Sequence, residues 1–522
     1  MASDLFAWAT VDPARLSEGY LGPVLNLVGG QWQTTQQAKS YPDPLTGTDL
    51  FHVPETQVEE LAPIIEEMKA VPAYGLHNPL RNVQRYNLYG QICTKAGEYL
   101  SHSEVFAYFT GLIMRTVPKS RPQAEGEVRL VRAFLQNFSG DQVRYLARGF
   151  TVPGDHAGQE TCGYRWPYGP VAIIAPFNFP LEIPALQLLG ALFMGNKVLL
   201  KPDPKGAPCM EQFIRLLLHC GLPNTDLVLL NGCAQAMEHL ITTDLFRCIQ
   251  FTGSTQVAHH LSALSQGKVR FEDSGFNWKV LSPQVAEVDY IAYVCDQDAY
   301  AFSGQKCSAQ KLLLAHGSWM QAGIVEKLAA LAGRRTVKDL TITPLLTWTT
   351  ERIQKHVNAL LTIPGAKLLF GGCSFPDHNI PSIYGAFCPT AVFIPFDQIV
   401  SNLALCTVEV FGPLQIITEW NELPPVLELL GRLGRYLTAG IVANDPLFLG
   451  EVLGCSVNGT IYAGMRARTS GAPQNHWFGA AGDPRGSGIG TRESILQTWS
   501  CHREVISDFG PVPANWSLPP PS

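Results

Sequence analysis

The sequence predicts an α/β fold of two domains that meet at a cleft. Short apolar runs alternate with helical patterns in two separate series, which is typical of parallel strands joined by crossover helices. The 522 residues suffice for two or three domains with large cores. A hydrophobic content of 46% with 16% charged residues indicates a globular chain.

The first series begins with an apolar run that a proline ends, at residues 171–176. Its predicted elements, in order, are strand 171–176, helix 182–194, strand 197–202, helix 207–221, strand 228–232 and strand 248–253. A doubly wound parallel sheet binds its ligands at the carboxyl ends of its strands. Pro176, Lys201 and Gly253 occupy such ends.

The second series follows Cys307 and repeats the alternation. Its predicted elements are strand 311–315, helices 320–332 and 351–361, and strands 366–370, 391–394, 414–418 and 439–443. Cys307 therefore stands where the second series begins, and we expect it at the cleft between the two domains.

Three stretches lie outside these series. Residues 149–167 are polar and rich in turn residues, with β character near Tyr164, and predict a hairpin that leaves the body of the fold. Residues 497–505 also have a β-like pattern. The Pro-rich residues 511–522 are expected to be loose.

Composition excludes several classes of function. The net charge is −6 with a pI of about 6.1 and no basic run, so nucleic acid is not an expected partner. The longest apolar stretches are too short or too interrupted to span a bilayer, so no membrane association is expected. No HExxH motif and no Cys/His cluster of zinc spacing is present, so no catalytic metal is expected.

Cysteine usage and the N-terminal residues bear on the compartment. Thirteen cysteines without CxxC pairs predict reduced thiols in an intracellular compartment. The N-terminus lacks the pattern of a secretory signal, and Asp4, Asp12 and Glu18 argue against an Arg-rich mitochondrial presequence. On this basis the protein could reside in the cytosol or in an organelle.

Cys307 and Glu272 are the strongest candidates for chemistry. Cys307 lies in the small-residue stretch 304–309, and Glu272 lies in the acidic stretch 271–275 upstream. A thiol is a strong nucleophile only when the site increases its thiolate fraction. A thiol that attacks a carbonyl and a carboxylate that activates water together permit two-step acyl chemistry, in which a thioester forms and is hydrolysed.

Four other positions are weaker signals when taken singly. Asn178, just past a strand, could supply an oxyanion-hole amide together with the backbone N–H of the thiol residue, or could satisfy a local turn. The Gly253-Ser254 turn could bind phosphate or simply begin a helix. Lys201 could hold a ribose or phosphate or lie at the surface, and Glu409 beside an aromatic residue is similarly ambiguous.

Taken in order, these segments resemble the aldehyde dehydrogenase superfamily. The matching pieces are PFNFP at 176, Lys201-Pro202, FTGST at 251, Glu272, GQKCSA at 304 and EVFGP at 409. Further stretches at 271, 296 and 474 are similar to the plant-type Δ1-pyrroline-5-carboxylate (glutamate-γ-semialdehyde) dehydrogenases. The resemblance implies NAD-dependent oxidation of glutamate γ-semialdehyde to glutamate, the last step of proline breakdown. It implies Cys307 as the nucleophile, Glu272 as the general base and Asn178 as the oxyanion-hole amide.

The same resemblance implies the residues that bind NAD. Lys201 and Glu409 match the contacts to the adenosine and nicotinamide riboses. Gly253 and Ser254 match the pyrophosphate turn, and Phe411 matches the residue packed beside the nicotinamide ribose.

The resemblance also implies a substrate site. Phe179 and Phe478 match aromatic residues that sandwich the aliphatic part of the substrate. Ser308, Gly471 and Ala472 match the positions that anchor its α-carboxylate, because a hydroxyl and two backbone N–H groups can receive an anion.

A domain division and an assembly follow from the resemblance. The implied parts are a Rossmann-type NAD-binding domain at 20–148 and 169–273, an α/β catalytic domain at 274–485, a β oligomerisation arm at 149–168 and 486–510, and the tail 511–522. A homo-oligomer, dimer or tetramer, in the mitochondrial matrix is implied, with the cytoplasm as the alternative.

Some positions depart from the superfamily pattern. Asp273 adds an acid beside the predicted base, and Ala258 replaces the usual second glycine of the pyrophosphate turn. Pro204 stands where many NAD-preferring relatives have a carboxylate, with Asp203 one residue earlier, so NAD and NADP both stay open as the coenzyme.

Three other functions are alternatives to this one. The first is oxidation of another aldehyde, such as succinate semialdehyde or a betaine aldehyde. The second is a cysteine hydrolase, which needs a base such as histidine near the thiol and no NAD; no histidine is near Cys307 in the sequence. The third is a catalytically silent homologue, against which the presence of Cys307, Glu272 and Asn178 argues.

Overall fold

The computed structural model describes residues 5–17, 19–273 and 275–521. Ser274, the first residue of the predicted catalytic domain, and Ser522, the last residue of the predicted tail, lie outside the described residues, as do Asp4 and Glu18.

The N-terminal part supplies short strands and a group of helices. In chain order they are β1 (Gly22–Pro23), β2 (Asn26–Val28), β3 (Gln31–Gln33), β4 (Ala38–Pro42), β5 (Asp49–Pro54), α1 (Ala62–Lys69), α2 (Gln84–Tyr99), α3 (Ser103–Thr116), α4 (Arg121–Asn137), β6 (Phe150–Pro153) and β7 (Gln159–Pro167). Strands β1, β5 and β4 form a small sheet in that order.

The first series of the sequence forms a seven-stranded, doubly wound sheet. Its elements are β8 (Pro170–Ile174), α5 (Glu182–Phe193), β9 (Lys197–Lys201), α6 (Ala207–His219), β10 (Leu227–Leu229), α7 (Ala234–Thr242), β11 (Cys248–Thr252), α8 (Thr255–Leu264) and β12 (Val269–Glu272). The strand order is β12-β11-β8-β9-β10-β2-β3, and the first five are parallel. The order reverses between β8 and β11, which is where such sheets open a ligand crevice.

The second series forms another seven-stranded sheet. Its elements are β13 (Asn277–Leu281), α9 (Val288–Tyr300), β14 (Gln310–His316), α10 (Gly317–Gln321), α11 (Ile324–Ala332), α12 (Thr350–Leu360), β15 (Lys367–Phe370), β16 (Thr390–Phe393), α13 (Phe396–Ser401), α14 (Leu403–Cys406), β17 (Leu414–Trp420), α15 (Leu423–Arg432), β18 (Thr438–Val442), α16 (Pro446–Gly454) and β19 (Thr460–Ala463). The order is β15-β16-β17-β14-β13-β18-β19, parallel except where β15 joins β16. The predicted α/β fold is thus confirmed.

The C-terminal part returns to both halves of the molecule. Its elements are β20 (Phe478–Gly479), β21 (Gly488–Ile489), α17 (Arg492–Trp499) and β22 (Ser500–Asp508). Short 3-10 segments elsewhere cover Val58–Glu60, Val143–Ala147, Pro204–Gly206, Ala301–Gly304 and Pro473–Asn475. Strand β22 pairs antiparallel with β7 from Ser500↔Pro167 to Asp508↔Gln159, and β6 completes this three-stranded sheet, so the predicted hairpin is present.

Two sequence predictions differ from the structure. The helix predicted at 320–332 is divided into α10 and α11, because Gly323 adopts φ +79° between them. The β-like pattern at 497–505 begins in a helix, since α17 continues to Trp499. A capping box at Thr491 and Ser494 starts α17, and Ile495 and Trp499 pack beside Gly190 of α5.

Helix α5 is the central element for the site. All its residues are buried, and it packs against α4, α6, α17, β8 and β9. An apolar sequence on every face favours such burial. Its first residue therefore lies at a fixed place near the carboxyl end of β8. Among the described residues, no helix combines the length and the apolar character needed to cross a membrane.

Candidate active site

The thiol segment connects a tightly turned stretch to β14. Phe302, Ser303 and Gly304 have φ of 55°, 48° and 68°, so three successive residues lie in the left-handed region. Such a conformation is costly for residues with a Cβ. A Cβ at Gly304 would overlap the carbonyl oxygen of Gly412. The thiol segment is thereby pressed against the segment 409–413.

A buried lysine joins those two segments. Lys311 donates from Nζ to the carbonyl oxygens of Gly412 at 3.0 Å and of Gly304 at 3.3 Å. Burial lowers the pKa of Lys311 to about 7, while the neighbouring Glu409 opposes that shift. Residues that are a hundred positions apart in the chain thus form one rigid unit at the thiol.

Asn178 lies in the loop between β8 and α5 and is buried. Its Nδ2 donates to the carbonyl oxygen of Gln305 at 3.1 Å, which places the amide beside the thiol segment. Its own carbonyl oxygen accepts from Lys119 Nζ at 2.7 Å. Lys119 is paired with Glu127 at 2.9 Å in the interior, and the second oxygen of Glu127 accepts two backbone N–H groups at the start of α5, at 2.8 and 3.0 Å.

Glu272 is the last residue of β12 and is 2% exposed. Burial raises the pKa of its carboxyl to about 7; the adjacent Cys307 thiol opposes this shift and Asp273 adds to it. Neither carboxyl oxygen has a hydrogen bond of regular geometry to a described residue. The carboxyl can therefore gain or lose a proton close to neutral pH.

Cys307 is partly accessible from the cavity described below but lies deep in the molecule. Burial, and next the charge of Glu272, hold the pKa of its thiol well above the ordinary value. The thiol is therefore protonated at rest and needs a base to become a nucleophile. Glu272 is the neighbouring group that can take this proton.

Several hydrogen bonds immobilise the backbone and side chains around the thiol. Asn277 Nδ2 donates to the carbonyl oxygens of Cys307 at 2.6 Å and of Ala309 at 2.9 Å. The hydroxyls of Ser308 and Ser470 are 2.9 Å apart, and Lys306 Nζ donates to Ser470 Oγ at 3.0 Å. Burial lowers the pKa of Lys306 to about 8.

One cavity of about 970 Å³ contains the predicted nucleophile and the predicted substrate contacts. Its lining includes Cys307, Ser308, Phe179, Phe478, Gly471 and Ala472. A Cβ at Gly471 would overlap the hydroxyl of Tyr462, so any side chain there would require the Tyr462 ring to move. The cavity combines aromatic surface with polar groups, as small-molecule sites commonly do.

The five residues predicted to bind a dinucleotide do not line this cavity. Lys201 ends β9, and burial lowers the pKa of its ammonium group, which has no hydrogen-bond partner among the described residues. Gly253 and Ser254 connect β11 to α8, and the Ser254 hydroxyl makes no capping hydrogen bond. An ammonium group without a hydrogen bond to a described residue, and a hydroxyl that does not cap α8, fit a ribose and a pyrophosphate at the carboxyl edge of a doubly wound sheet.

Glu409 and Phe411 lie on the segment that contacts Gly304. Glu409 accepts the N–H of Gly275 at 3.2 Å, and burial raises the pKa of its carboxyl to about 7. The ring of Phe411 meets that of Phe177 edge-on, with centroids 5.9 Å apart. A carboxyl and an aromatic face near the thiol segment fit the second ribose of a dinucleotide.

The positions that depart from the superfamily pattern have local roles. Asp203 caps a 3-10 turn by accepting the N–H of Lys205 at 2.9 Å. Ala258 is buried in α8. No group of three or more His, Cys, Asp or Glu residues that could hold a metal ion occurs among the described residues.

Sequence reasoning missed several groups at this site. They are Lys119, Glu127 and Glu182 beneath and beside the Asn178 loop, and Lys306 and Ser470 beside Ser308. Lys306 lies within the quoted GQKCSA motif, so its place could have been noted. Nothing in the sequence links the other four to the thiol, because the fold alone brings α4, α5 and the stretch after β19 together.

Comparison with known proteins agrees with this geometry. The model of the aldehyde dehydrogenase family matches residues 32–504. A Linum usitatissimum protein described as a probable aldehyde dehydrogenase is 54% identical, with 98% of this chain and 94% of the relative covered. Delta-1-pyrroline-5-carboxylate dehydrogenase 12A1, mitochondrial, of Arabidopsis thaliana is 53% identical, with 98% and 93% covered.

Solved structures share the fold at low identity. An NADP-dependent glyceraldehyde-3-phosphate dehydrogenase from Bacillus halodurans C-125, in complex with NADP, has a TM-score of 0.78 at 21% identity, with 94% of this chain and 100% of that chain covered. A Sinorhizobium meliloti 1021 structure in complex with NAD has a TM-score of 0.79 at 18% identity, with 95% and 100% covered. The family model, the two curated relatives and the geometry of thiol, carboxyl and amide lead to one conclusion: the chain belongs to the aldehyde dehydrogenase family.

Proposed function

We propose that this enzyme oxidises L-glutamate γ-semialdehyde, the open form of Δ1-pyrroline-5-carboxylate, to L-glutamate with NAD+. The observation that carries this proposal is the 53% identity, over 98% of the chain, to the Arabidopsis enzyme named for that substrate. The cavity supports it, because the thiol, two aromatic rings and candidate carboxylate anchors share its lining.

The first step forms a thiohemiacetal at Cys307. Glu272 accepts the thiol proton, and the sulfur attacks the aldehyde carbon. The amide of Asn178 and the backbone N–H of Cys307 donate to the oxygen that becomes negatively charged. Asn178 gives up its bond to Gln305 to do so, while Lys119 keeps the loop in place.

The second step leaves a thioester, which water hydrolyses. NAD+, held by Lys201, Ser254 and Glu409, would supply the hydride acceptor for this oxidation. Glu272 first gives the thiol proton to solvent and then removes a proton from the attacking water. It passes this proton to the departing thiolate, so the carboxylic acid leaves and the Cys307 thiol is restored. A carboxyl with a pKa of about 7 can perform both proton transfers near neutral pH.

Five residues orient the substrate in this proposal. The rings of Phe179 and Phe478 enclose its aliphatic carbons. The hydroxyl of Ser308 and the backbone N–H groups of Gly471 and Ala472 receive its α-carboxylate. An aldehyde that lacks the α-carboxylate leaves these donors without an acceptor. The site therefore favours the amino-acid semialdehyde over simple aldehydes.

The coenzyme site consists of Lys201, Gly253, Ser254, Glu409 and Phe411. Lys201 and Glu409 bind the two riboses, the Gly253-Ser254 turn binds the pyrophosphate, and Phe411 packs beside the nicotinamide ribose. The structural relative with bound NAD supports this coenzyme, and the relative with bound NADP makes NADP+ the necessary comparison.

Domain division, assembly and location complete the proposal. The NAD-binding domain covers 20–148 and 169–273 and the catalytic domain covers 274–485, each around one seven-stranded sheet. The segments 149–168 and 486–510 act as an oligomerisation arm; β6 is exposed along its length, and Ile506 of β22 is 61% exposed. The mitochondrial matrix is the proposed compartment, supported by the name of the Arabidopsis relative.

A substrate panel tests the proposal. NADH formation is measured with Δ1-pyrroline-5-carboxylate, succinate semialdehyde, betaine aldehyde and an unsubstituted aliphatic aldehyde, each with NAD+ and NADP+. We expect the highest kcat/KM for Δ1-pyrroline-5-carboxylate with NAD+. A tenfold preference for another aldehyde would overturn the substrate, and thioester hydrolysis without any coenzyme-dependent oxidation would favour the cysteine hydrolase.

A further inference from the structure

Glu182 is an acidic side chain in the cavity to which the reaction gives no role. It is the first residue of α5, is 8% exposed, and lines the cavity together with Cys307. No described residue donates a hydrogen bond to its carboxyl. Buried polar groups are rarely left in this state, so its presence calls for a physical reason.

A purely structural role does not account for this carboxyl. An acidic residue in the first turn of a helix can stabilise the helix through its dipole. In α5 that task falls to Glu127, whose Oε1 accepts the N–H groups of Leu181 and Glu182. Every other residue of α5 is buried as well, and most are apolar. A leucine at 182 would avoid the cost of burying an unpaired acid.

Both signs of charge line the cavity. The cations Lys306, Arg466 and Arg468 and the acid Asp298 come from segments that border the second sheet, whereas Glu127 and Glu182 come from α4 and α5 beside the first sheet. Asp298 is paired with the buried Lys279 at 2.7 Å. Glu127 is already paired with Lys119 and is therefore not available. Glu182 is the acidic lining residue that has no cationic partner among the described residues.

We propose that Glu182 binds the α-ammonium group of the substrate and so selects an amino-acid semialdehyde over a semialdehyde that has a carboxylate alone. The proposal rests on the function proposed above, in which Ser308 and the Gly471-Ala472 backbone hold the α-carboxylate. Different parts of the chain then bind the α-ammonium and the α-carboxylate of the substrate. Only a molecule that carries both groups makes both sets of contacts.

The electrostatics around Glu182 agree with this role. Burial raises the pKa of its carboxyl well above the ordinary value; the charge of Glu127 adds to this, Lys119 opposes it, and Glu272 adds again. Burial therefore favours the neutral form of the Glu182 carboxyl in the empty cavity. An ammonium beside it favours the ionised form, so binding of an α-amino acid releases a proton and binding of a plain dicarboxylate does not.

Two substrates that differ only in the ammonium group provide the test. L-Glutamate γ-semialdehyde and 5-oxopentanoate share the aldehyde, the chain length and the carboxylate. We compare kcat/KM for both in wild type, Glu182→Gln, Glu182→Leu and the exposed control Glu451→Gln. In both Glu182 variants, kcat/KM for L-glutamate γ-semialdehyde should fall by about ten- to a hundredfold, which is the range for one hydrogen bond to a charged group. The rate with 5-oxopentanoate should hold or rise, and the control should match wild type.

Binding of the product checks the same point without turnover. Calorimetry in two buffers of different ionisation heat should show that wild type releases a proton on binding L-glutamate but not glutarate, and that Glu182→Gln releases none. An unchanged substrate ratio in the variants, or equal losses on both substrates, would overturn the role of Glu182. A wild-type enzyme that fails to oxidise glutamate γ-semialdehyde would instead refute the proposed function. The binding measurement would then still show whether Glu182 binds an α-ammonium group.

Discussion

The thiol segment and the carboxyls that face it are bonded in opposite ways. Asn277, Lys306 and Ser470 donate or accept hydrogen bonds around Cys307 and Ser308, and the backbone there has little freedom. Glu272, by contrast, has no regular hydrogen bond to a described residue. Groups that position a substrate must stay still, whereas a group that carries protons must be free to change partner and charge.

The largest expected effect comes from removing the sulfur of Cys307, the reactive atom of the thiol segment. Cys307→Ala should reduce aldehyde oxidation below about a hundredth of the wild-type rate, since loss of a covalent nucleophile costs many orders of magnitude. The dissociation constant for NAD+, measured by fluorescence, should change little. The exposed Cys455→Ala serves as a control of equal chemistry. Appreciable turnover by Cys307→Ala would remove this thiol from the mechanism.

Glu272→Gln tests the carboxyl that faces the thiol segment. Glu272 is proposed as the base for both the thiol and the water, so the rate of the first NADH turnover and the steady rate should both fall in stopped-flow measurements. A burst at the wild-type rate followed by slow turnover would show that Glu272 acts on the water alone.

The pH profile sharpens the same comparison. The pKa of Glu272 is raised to about 7, and the base acts in its ionised form, so wild-type kcat should rise as pH increases through that value. Because Asp273 contributes to raising this pKa, Asp273→Asn should move the rise to lower pH. An unchanged midpoint in Asp273→Asn would mean that another group governs the profile.

Ser308→Ala removes a proposed anchor and should have a smaller effect. One hydrogen bond to a charged group is worth about 1.5–3 kcal/mol, so kcat/KM for glutamate γ-semialdehyde should fall by about ten- to a hundredfold. Aliphatic aldehydes without a carboxylate should be little affected. Equal losses for both kinds of substrate would mean that Ser308 supports Cys307 itself.

Ser470 should have the smallest effect, because it positions Ser308 and Lys306 rather than a reacting atom. Neutral hydrogen bonds contribute about 0.5–1.5 kcal/mol, so Ser470→Ala should lower kcat/KM for the carboxylated substrate by about two- to tenfold. The loss should appear in KM rather than kcat. Ser470→Thr keeps the hydroxyl and should restore the wild-type value; failure to do so would point to packing.

The sequence allowed much of the fold to be predicted, because apolar runs of strand length alternate with helical patterns. Strands β8, β9, β11, β14 and β17 were placed within a few residues. Strand β13, which begins with the buried Asn277 and contains the buried Lys279, has no such apolar run and was missed. Its polar residues are satisfied by bonds to remote segments, such as that between Lys279 and Asp298 at 2.7 Å.

The candidate site divides in the same way. Residues within short motifs, such as Cys307 and Asn178, were named from the sequence, and the structure places both beside the same cavity or its adjoining loop. Lys119 and Glu182 were missed because their significance depends on which helix packs beside which loop. Spacing along the chain carries no information about such contacts.

The contact between Gly304 and Gly412 has a consequence for how this protein can change over generations. A Cβ at Gly304 would overlap the carbonyl oxygen of Gly412, whereas a Cβ at Gly412 would press on the side chain of Ile353. Single substitutions at Gly304 would displace both the thiol and the Glu409 segment. We therefore expect the segments at 304 and 409 to change together or not at all in related proteins, while the residues around them vary more freely.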